Sequence, residues 1–190
     1  MTDILSGYQV REGLQTDPAG THFVVQAKDI DAENEHRLNV EGLDRISSAR
    51  DLSSYALRNG DILFLAKGRR RFATLVESLP LSSETVALYY FFILRPNQKK
   101  INPAFLAWVI NQPEAQEYLD RAASGTTIPS LTKQAFLKLE ISVPSLDKQI
   151  AIADLHQLSR REASLTRRLE SQRTEYLHAL CRLLWEEENA

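Results

Sequence analysis

The most constraining feature of this sequence is the absence of Gly and Pro from its C-terminal quarter. Neither residue occurs between Pro144 and the end of the chain at residue 190, although both punctuate the segments before it. Because Gly and Pro are the residues that most destabilise helix interiors, this stretch predicts one uninterrupted helix from about residue 146 to 187, roughly 60 Å long. Ser145 is placed to cap that helix, and Asp147 in its first turn complements the helix dipole.

An apolar stripe follows the predicted helix in steps of three, four and seven residues, which is typical of a coiled-coil seam. The stripe consists of Leu155, Leu158, Leu165, Leu169, Tyr176, Leu180 and Leu184. Glu162 and Gln172 interrupt it. A small domain cannot cover a helix of this length, so the stripe predicts pairing with another helix. The alternative is a helix that folds back onto its own domain.

The first 144 residues mix short strand-like and helix-like segments without a regular βαβ rhythm, which predicts an α+β fold. HFVVQAKDI (22–30), DILFLA (61–66), VALYYFFIL (86–94) and EISV (140–143) are predicted strands. Residues 101–123 predict a helix broken at Pro113, and residues 131–139 predict a further short helix. We therefore expect residues 1–144 to form a globular domain with a twisted mixed or antiparallel sheet, and residues 145–190 to form the long helix.

Charge and composition exclude several classes of protein. The net charge is −2, from 23 basic and 25 acidic residues, so a protein that coats nucleic acid without specificity is not expected. No apolar run is long enough for a membrane helix, and the N-terminus does not resemble a signal peptide. Cys181 is the only cysteine, which excludes an intramolecular disulfide and favours the cytoplasm. Met1 and the acidic tail EEENA are expected to be natural ends.

The strongest candidate for DNA contact is KGRRR, with Lys67, Arg69, Arg70 and Arg71 directly after a predicted buried strand. A turn at Gly68 would present three guanidinium groups, which bind phosphate or the guanine edge bidentately. The weaker candidates are Lys99, Lys100, Ser124, Thr126, Thr127 and Lys133. For each group a structural role stays open: a solvated loop around residues 67–71 and 99–100, and a capping loop around residues 124–127.

The sequence does not indicate a catalytic centre or a metal site. NPAF (102–105) lacks the second proline of the adenine methyltransferase motif and is expected to begin a helix. Asp29, Asp31, Glu33 and Glu35 alternate as nuclease ligands do, but no matching Glu-x-Lys follows, so a solvated acidic loop is expected. The four histidines, His22, His36, His156 and His178, are too scattered for a metal site. Cys181 lies near the predicted seam and is expected to pack there.

The ordered set of motifs resembles the specificity subunit of type I restriction–modification systems, over nearly the whole chain. Three groups of residues carry this resemblance: Asp29 and Ile30 with Gly60, Asp61, Ile62, Leu63 and Gly68; Pro103, Phe105 and Leu106; and Gly125, Thr126, Leu131, Phe136, Leu139, Ile141, Val143, Pro144, Leu146, Gln149 and Ile152. Ser145 and Lys148 depart from the usual proline and glutamate.

The resemblance implies a non-catalytic DNA-recognition subunit, in which one target-recognition domain reads half of a bipartite site. The usual subunit has two such domains and two long helices, whereas this chain has one of each. It therefore resembles a half-subunit that pairs with a second copy through the long helix. The implied partners are double-stranded DNA, a methyltransferase subunit that methylates adenine, and a motor nuclease subunit. The methyl donor, ATP and magnesium would belong to those partners, and no cofactor is expected on this chain.

Two other functions stay open. The first is an assembly subunit that scaffolds a complex without reading DNA. The second is a free-standing nuclease or methylase. DNA binding that depends on salt and on residues 69–71 would distinguish the recognition subunit from the scaffold.

Overall fold

A computed structural model describes residues 2–10, 13–31, 36–125 and 128–188, with side chains as far as residue 186. The chain divides into two compact units, Met1–Ala153 and Asp154–Ala190. The first contains every strand and three short helices of the described residues. The second consists of the continuation of the last helix.

The strands are β1 (Thr2–Ser6), β2 (His22–Val25), β3 (Ile30–Asp31), β4 (Arg37–Leu38), β5 (Asp44–Ile46), β6 (Ile62–Leu65), β7 (Ala73–Leu75), β8 (Glu84–Ala87) and β9 (Phe91–Pro96). The helices are α1 (Pro103–Ile110), α2 (Pro113–Ala122), α3 (Lys133–Leu137) and α4 (Leu146–Glu188). Single 3₁₀ turns occur at Ala27–Asp29 and Ser53–Tyr55.

Two sheets make up most of the first unit. The larger is antiparallel throughout, in the order β1-β9-β6-β7. The smaller has the order β5-β2-β8, with β2 antiparallel to β5 and parallel to β8. Strands β3 and β4 form a separate antiparallel pair. The observed mixture of sheets and helices confirms the predicted α+β class.

Strand β6 explains why DILFLA is apolar at consecutive positions. Side chains alternate across a strand, and both faces of β6 are buried. Ile62 and Phe64 face a core shared with α1, α2 and α3. Leu63 and Leu65 face a second core shared with β2 and β8. The larger sheet is thus a middle layer between helices and the smaller sheet.

Three strand predictions were wrong in detail. Residues 86–94 form two strands, because the chain turns at Tyr89–Tyr90 and Phe91 N–H donates to Leu88 O at 2.9 Å. Residues 22–30 break at the 3₁₀ turn after β2. Residues 140–143 are not in a strand, although Ile141 still packs against the core. The break at Pro113, the short helix near residues 131–139 and the long helix are confirmed.

A buried ion pair joins the central strands to the loop before them. Arg95 of β9 donates from Nε and Nη2 to the two carboxylate oxygens of Asp61, at 2.8 and 2.7 Å. The Asp61 side chain is only 2% exposed. Arg95 Nη2 also donates to Ala56 O at 3.0 Å, and Arg58 N–H donates to Asp61 at 2.9 Å. The hydrogen bonds to Asp61 raise the pKa of the Arg95 guanidinium above its ordinary value. Gly60, at a φ of 89°, supplies the turn that positions this aspartate.

A second buried polar residue, Gln149, holds the first turns of α4 in the first unit. Its side-chain oxygen accepts from Asn102 N–H at 2.8 Å. Its amide nitrogen donates to Pro144 O at 2.8 Å and to Lys100 O at 3.2 Å. Gln149 is 1% exposed, so these bonds replace water at both ends of its amide. Gln149 is therefore a structural anchor for the start of α4.

We predict that Asp61→Asn lowers the free energy of unfolding by about 3 kcal/mol, because it leaves the Arg95 guanidinium without its carboxylate partner. Urea unfolding followed by near-UV circular dichroism measures this change. Glu117→Gln removes an equal charge from an exposed position on α2 and serves as the control. Equal stability of the two variants would contradict the structural role given to Asp61.

Candidate nucleic-acid interface

The loop between β6 and β7 presents the arginines singled out in the sequence. The loop begins at Lys67. A hydrogen bond joins its two ends, with Leu65 N–H donating to Phe72 O at 3.0 Å. Gly68 has a φ of 123°, a conformation that side-chain-bearing residues rarely adopt. Arg69 and Arg70 are exposed and make no hydrogen bond or ion pair with the described residues. Their guanidinium groups are therefore available to a ligand.

The loop between α2 and α3 lies directly beside this turn. Gly68 N–H donates to Pro129 O at 2.9 Å, and Lys67 and Ser130 form an isolated β-bridge. Ser124 and Ser130 exchange backbone hydrogen bonds at 3.0 and 2.8 Å. The structure thus brings Ser124 next to the arginine turn, although the two are far apart in sequence. Thr126 and Thr127 lie outside the described residues.

A third loop adds an aromatic side chain that sequence reasoning missed. Tyr89, in the turn between β8 and β9, is 41% exposed. The Lys67 ammonium lies 4.4 Å from the centre of its ring, a cation–π contact. Reading residues 86–94 as one strand concealed this turn, and the Tyr-Tyr pair in an otherwise apolar run was the available signal. We define the basic loop surface as Lys67, Arg69, Arg70, Tyr89 and Ser124.

All the charged residues of the basic loop surface are positive. Residues 66–71, 88–90 and 123–130, the three loop segments, contain no aspartate or glutamate. The arrangement offers cations for phosphate, an aromatic face for stacking and a hydroxyl for hydrogen bonding.

Arg71 differs from its two neighbours in the turn. Its side chain is 5% exposed and forms an ion pair with Asp120 of α2. It therefore joins the turn to the helix layer and is not available to a ligand in this conformation.

The remaining basic candidates lie elsewhere. Lys99 and Lys100 are exposed in the turn after β9, at the end of the sheet opposite Lys67, because β6 and β9 pair antiparallel with Ile62 beside Leu94. Lys133 Nζ donates to the backbone oxygen of Ile4 in β1. The structure therefore does not bring these three lysines to the basic loop surface.

Asp29 of the acidic segment and Asn102 of NPAF both accept hydrogen bonds from the backbone of their own segments. Burial raises the pKa of Asp29, and its carboxylate accepts from Gln26 N–H at 2.7 Å. Glu33 and Glu35 lie outside the described residues. Asn102 caps α1 by accepting from Phe105 N–H at 3.0 Å, so NPAF begins a helix as predicted. Among the described residues, no cluster of His, Cys, Asp or Glu could hold a metal ion.

The predicted seam residues of α4 are all solvent-exposed in the single chain. Their exposed fractions run from 38% for Leu180 to 71% for Leu155. Leu177, Leu183 and Trp185 are exposed on the same helix and were not singled out in the sequence. Cys181 is also exposed. Exposed apolar surface of this extent is typical of interaction sites. None of the described helices is long and apolar enough to cross a membrane.

A family model described as the type I restriction modification DNA specificity domain matches residues 45–172. The chain belongs to this family. The match runs from β5, through the β6–β7 and α2–α3 loops, into α4. It confirms the resemblance drawn from the motifs. No match is found among curated proteins.

Three solved structures share the fold. The S subunit of the type I system of M. genitalium has 14% identity and a TM-score of 0.52, over 83% of this chain and 36% of that one. The HsdS subunit from Thermoanaerobacter tengcongensis has 21% identity and a TM-score of 0.60, over 79% and 38%. A third, which concerns complex assembly and conformational transition of the type I R-M system, has 20% identity and a TM-score of 0.60, over 87% and 38%. This chain thus spans less than two fifths of each of those chains.

We predict that the three arginines of the turn differ in their effect on stability. Arg71→Ala should lower the free energy of unfolding by about 1–3 kcal/mol, because it removes the packing of a nearly buried side chain between the turn and α2 as well as the ion pair. Arg69→Ala and Arg70→Ala should each change it by less than about 0.5 kcal/mol. Urea unfolding of the three variants tests this. Equal losses of stability in all three would contradict the different roles given to Arg71 and its two neighbours.

Proposed function

We propose that the chain is the sequence-reading module of a type I restriction–modification complex and recognises one half of a bipartite DNA site. The observation that carries this is the basic loop surface, where Lys67, Arg69 and Arg70 are exposed in the β6–β7 hairpin and the adjoining loops contain no acidic residue. Membership of the DNA specificity family supports it. Arginine on a rigid base suits both phosphate binding and guanine recognition.

In this proposal the named candidates have different roles. Lys67, Arg69, Arg70 and Ser124 contact DNA, together with Thr126 and Thr127 of the same loop. Arg71 and Lys133 stabilise the fold through Asp120 and the Ile4 carbonyl. Lys99 and Lys100 lie at the other end of the sheet and contribute little to binding. Residues 1–144 form the reader, and the helix from residue 145 is the spacer and assembly element.

The subunit itself is not catalytic in this proposal. It directs adenine methylation and cleavage that a methyltransferase subunit and a motor nuclease subunit carry out with their own cofactors. A second copy pairs through α4 and supplies the other half-site reader, since the exposed seam requires a cover. The same exposed seam favours the alternative function, a scaffold that assembles a complex without reading DNA.

Duplex binding separates the recognition module from the scaffold. Fluorescence anisotropy with a mixed-sequence duplex of about 30 base pairs should show that Arg69→Gln with Arg70→Gln weakens binding at least about tenfold. The slope of log K against log salt should fall by about 1–2, because each lost phosphate contact releases about one fewer counterion.

The matched control is Lys99→Gln with Lys100→Gln, which removes the same charge at the opposite end of the sheet. We expect it to change affinity by less than about threefold. Equal losses in the two double variants would show only general charge attraction. Unchanged binding in the arginine variant would favour the scaffold.

Light scattering tests whether two copies of the chain pair. Light scattering should give the mass of a dimer, and Leu165→Glu with Leu169→Glu should give a monomer, because it places charges in the middle of the seam. Ser164→Glu with Ser171→Glu adds the same charge on exposed positions off the seam and should leave the dimer intact. A monomer before any substitution would contradict self-pairing.

A further inference from the structure

Lys67 differs from Arg69 and Arg70 in how its side chain is held. The Lys67 ammonium lies 4.4 Å from the centre of the Tyr89 ring. The side chains of Arg69 and Arg70 are exposed and make no hydrogen bond or ion pair within the described part of the chain. The basic loop surface therefore carries one cation in a defined position and two whose position a ligand can set.

The backbone is fixed on both sides of Lys67. Ala66 N–H donates to Tyr90 O at 2.9 Å, which joins the β6–β7 hairpin to the turn between β8 and β9. Gly68 N–H donates to Pro129 O at 2.9 Å, which joins the same hairpin to the loop between α2 and α3. Hydrogen bonds to two other loops thus hold the chain immediately before and immediately after Lys67.

Tyr89 is supported by its neighbour Tyr90. The two rings meet edge to face, with their centres 5.5 Å apart. Tyr90 is half-buried, and its hydroxyl accepts from Ala27 N–H at 3.2 Å. Tyr90 therefore anchors the turn to the domain, and Tyr89 remains exposed with its ring against the Lys67 ammonium.

We propose that Lys67 and Tyr89 form the base-reading pair of the basic loop surface and select guanine, while Arg69 and Arg70 hold phosphate. This deepens the proposed function and rests on it. In this pair Lys67 contacts the base. Tyr89 is a positioning residue, which keeps the ammonium in place through its ring.

The chemistry of an ammonium group selects guanine. An ammonium has three N–H donors and no acceptor. In the major groove guanine presents two adjacent acceptors, N7 and O6. Adenine presents an acceptor beside a donor, thymine an acceptor beside a methyl group, and cytosine a donor. Because the Tyr89 ring attracts one side of the Lys67 ammonium through its negative face, the N–H groups on the other side remain for the two guanine acceptors.

Position, more than charge, separates the two roles. Reading a base requires donors that stay within about 0.5 Å of their working position, and the contacts of Lys67 with Tyr89 and with the neighbouring loops provide this. Phosphates recur along a duplex whatever its sequence, so the cations that hold them need no such constraint. Arg69 and Arg70 meet this simpler requirement, since no acidic residue in the three loop segments competes for them.

Selection of duplexes from a randomised library by the full chain tests which residue reads the base. The unchanged protein should enrich a motif that contains a constant guanine. Lys67→Met keeps the length of the side chain but removes its donors, so it should lose the preference at that one position and keep the others. Arg69→Gln with Arg70→Gln should weaken binding to every duplex and keep the guanine.

Two substitutions test the positioning role of Tyr89. Fluorescence anisotropy compares the selected duplex with the same duplex carrying adenine in place of the guanine, and the unchanged chain should prefer the first about five- to a hundredfold. Tyr89→Leu should reduce this preference roughly two- to fivefold, because it removes an exposed cation–π contact. Tyr89→Phe keeps the ring and should keep the preference. Equal urea-unfolding midpoints would show that both variants fold.

The possible outcomes separate this proposal from the function on which it rests. Equal losses in Tyr89→Phe and Tyr89→Leu would show that the hydroxyl contacts the base, and would overturn the positioning role. A motif without guanine, or a guanine lost in the arginine variant and kept in Lys67→Met, would overturn the base-reading pair. In each of these cases the chain still reads DNA. A chain that enriches no motif would overturn the proposed function and the base-reading pair together.

Discussion

The buried pair of Asp61 and Arg95 is the interaction on which most of the first unit depends. It lies where β6 and β9, the two central strands of the larger sheet, leave the core. Through Ala56 it also reaches the smaller sheet, because Ala56 bridges to Val86 of β8. One bidentate contact therefore ties both sheets together at one end. The hairpin that carries Arg69 and Arg70 projects from the opposite end of β6, one of the two strands that this pair joins.

The buried polar side chains discussed above are hydrogen-bonded within the chain, whereas the exposed arginines of the basic loop surface are not. The first set stabilises the fold, and the second is available for binding. Asp61, Arg95, Arg71 and Gln149 each have a hydrogen-bond partner in another part of the chain. Removing the partner of Asp61, Arg95 or Gln149 leaves an unpaired polar group inside the protein, which is costly. Arg69 and Arg70 have no such partner in the described part of the chain. Their guanidinium groups are available to a nucleic acid.

Sequence patterns predicted the helices better than the strands. The long helix was predictable because Gly and Pro, the residues that most often end a helix, are missing over so many consecutive positions. The prediction of a single strand over residues 86–94 was wrong, because Tyr89 and Tyr90 favour strands by propensity but occupy a turn between two strands. The position of Ser124 beside Lys67 could not be predicted, since it depends on a bridge between loops that are distant in sequence. Arg71 and Arg70 are identical in type, and only the nearby Asp120 distinguishes their roles.

In the proposed function, the chain reads both halves of its DNA site by pairing with a second copy. Selection of duplexes from a randomised DNA library by the purified protein tests this most directly. We expect the selected duplexes to share an inverted repeat of one short motif, with a spacer of constant length. A single unrepeated motif, or no enriched motif, would contradict a self-paired reader.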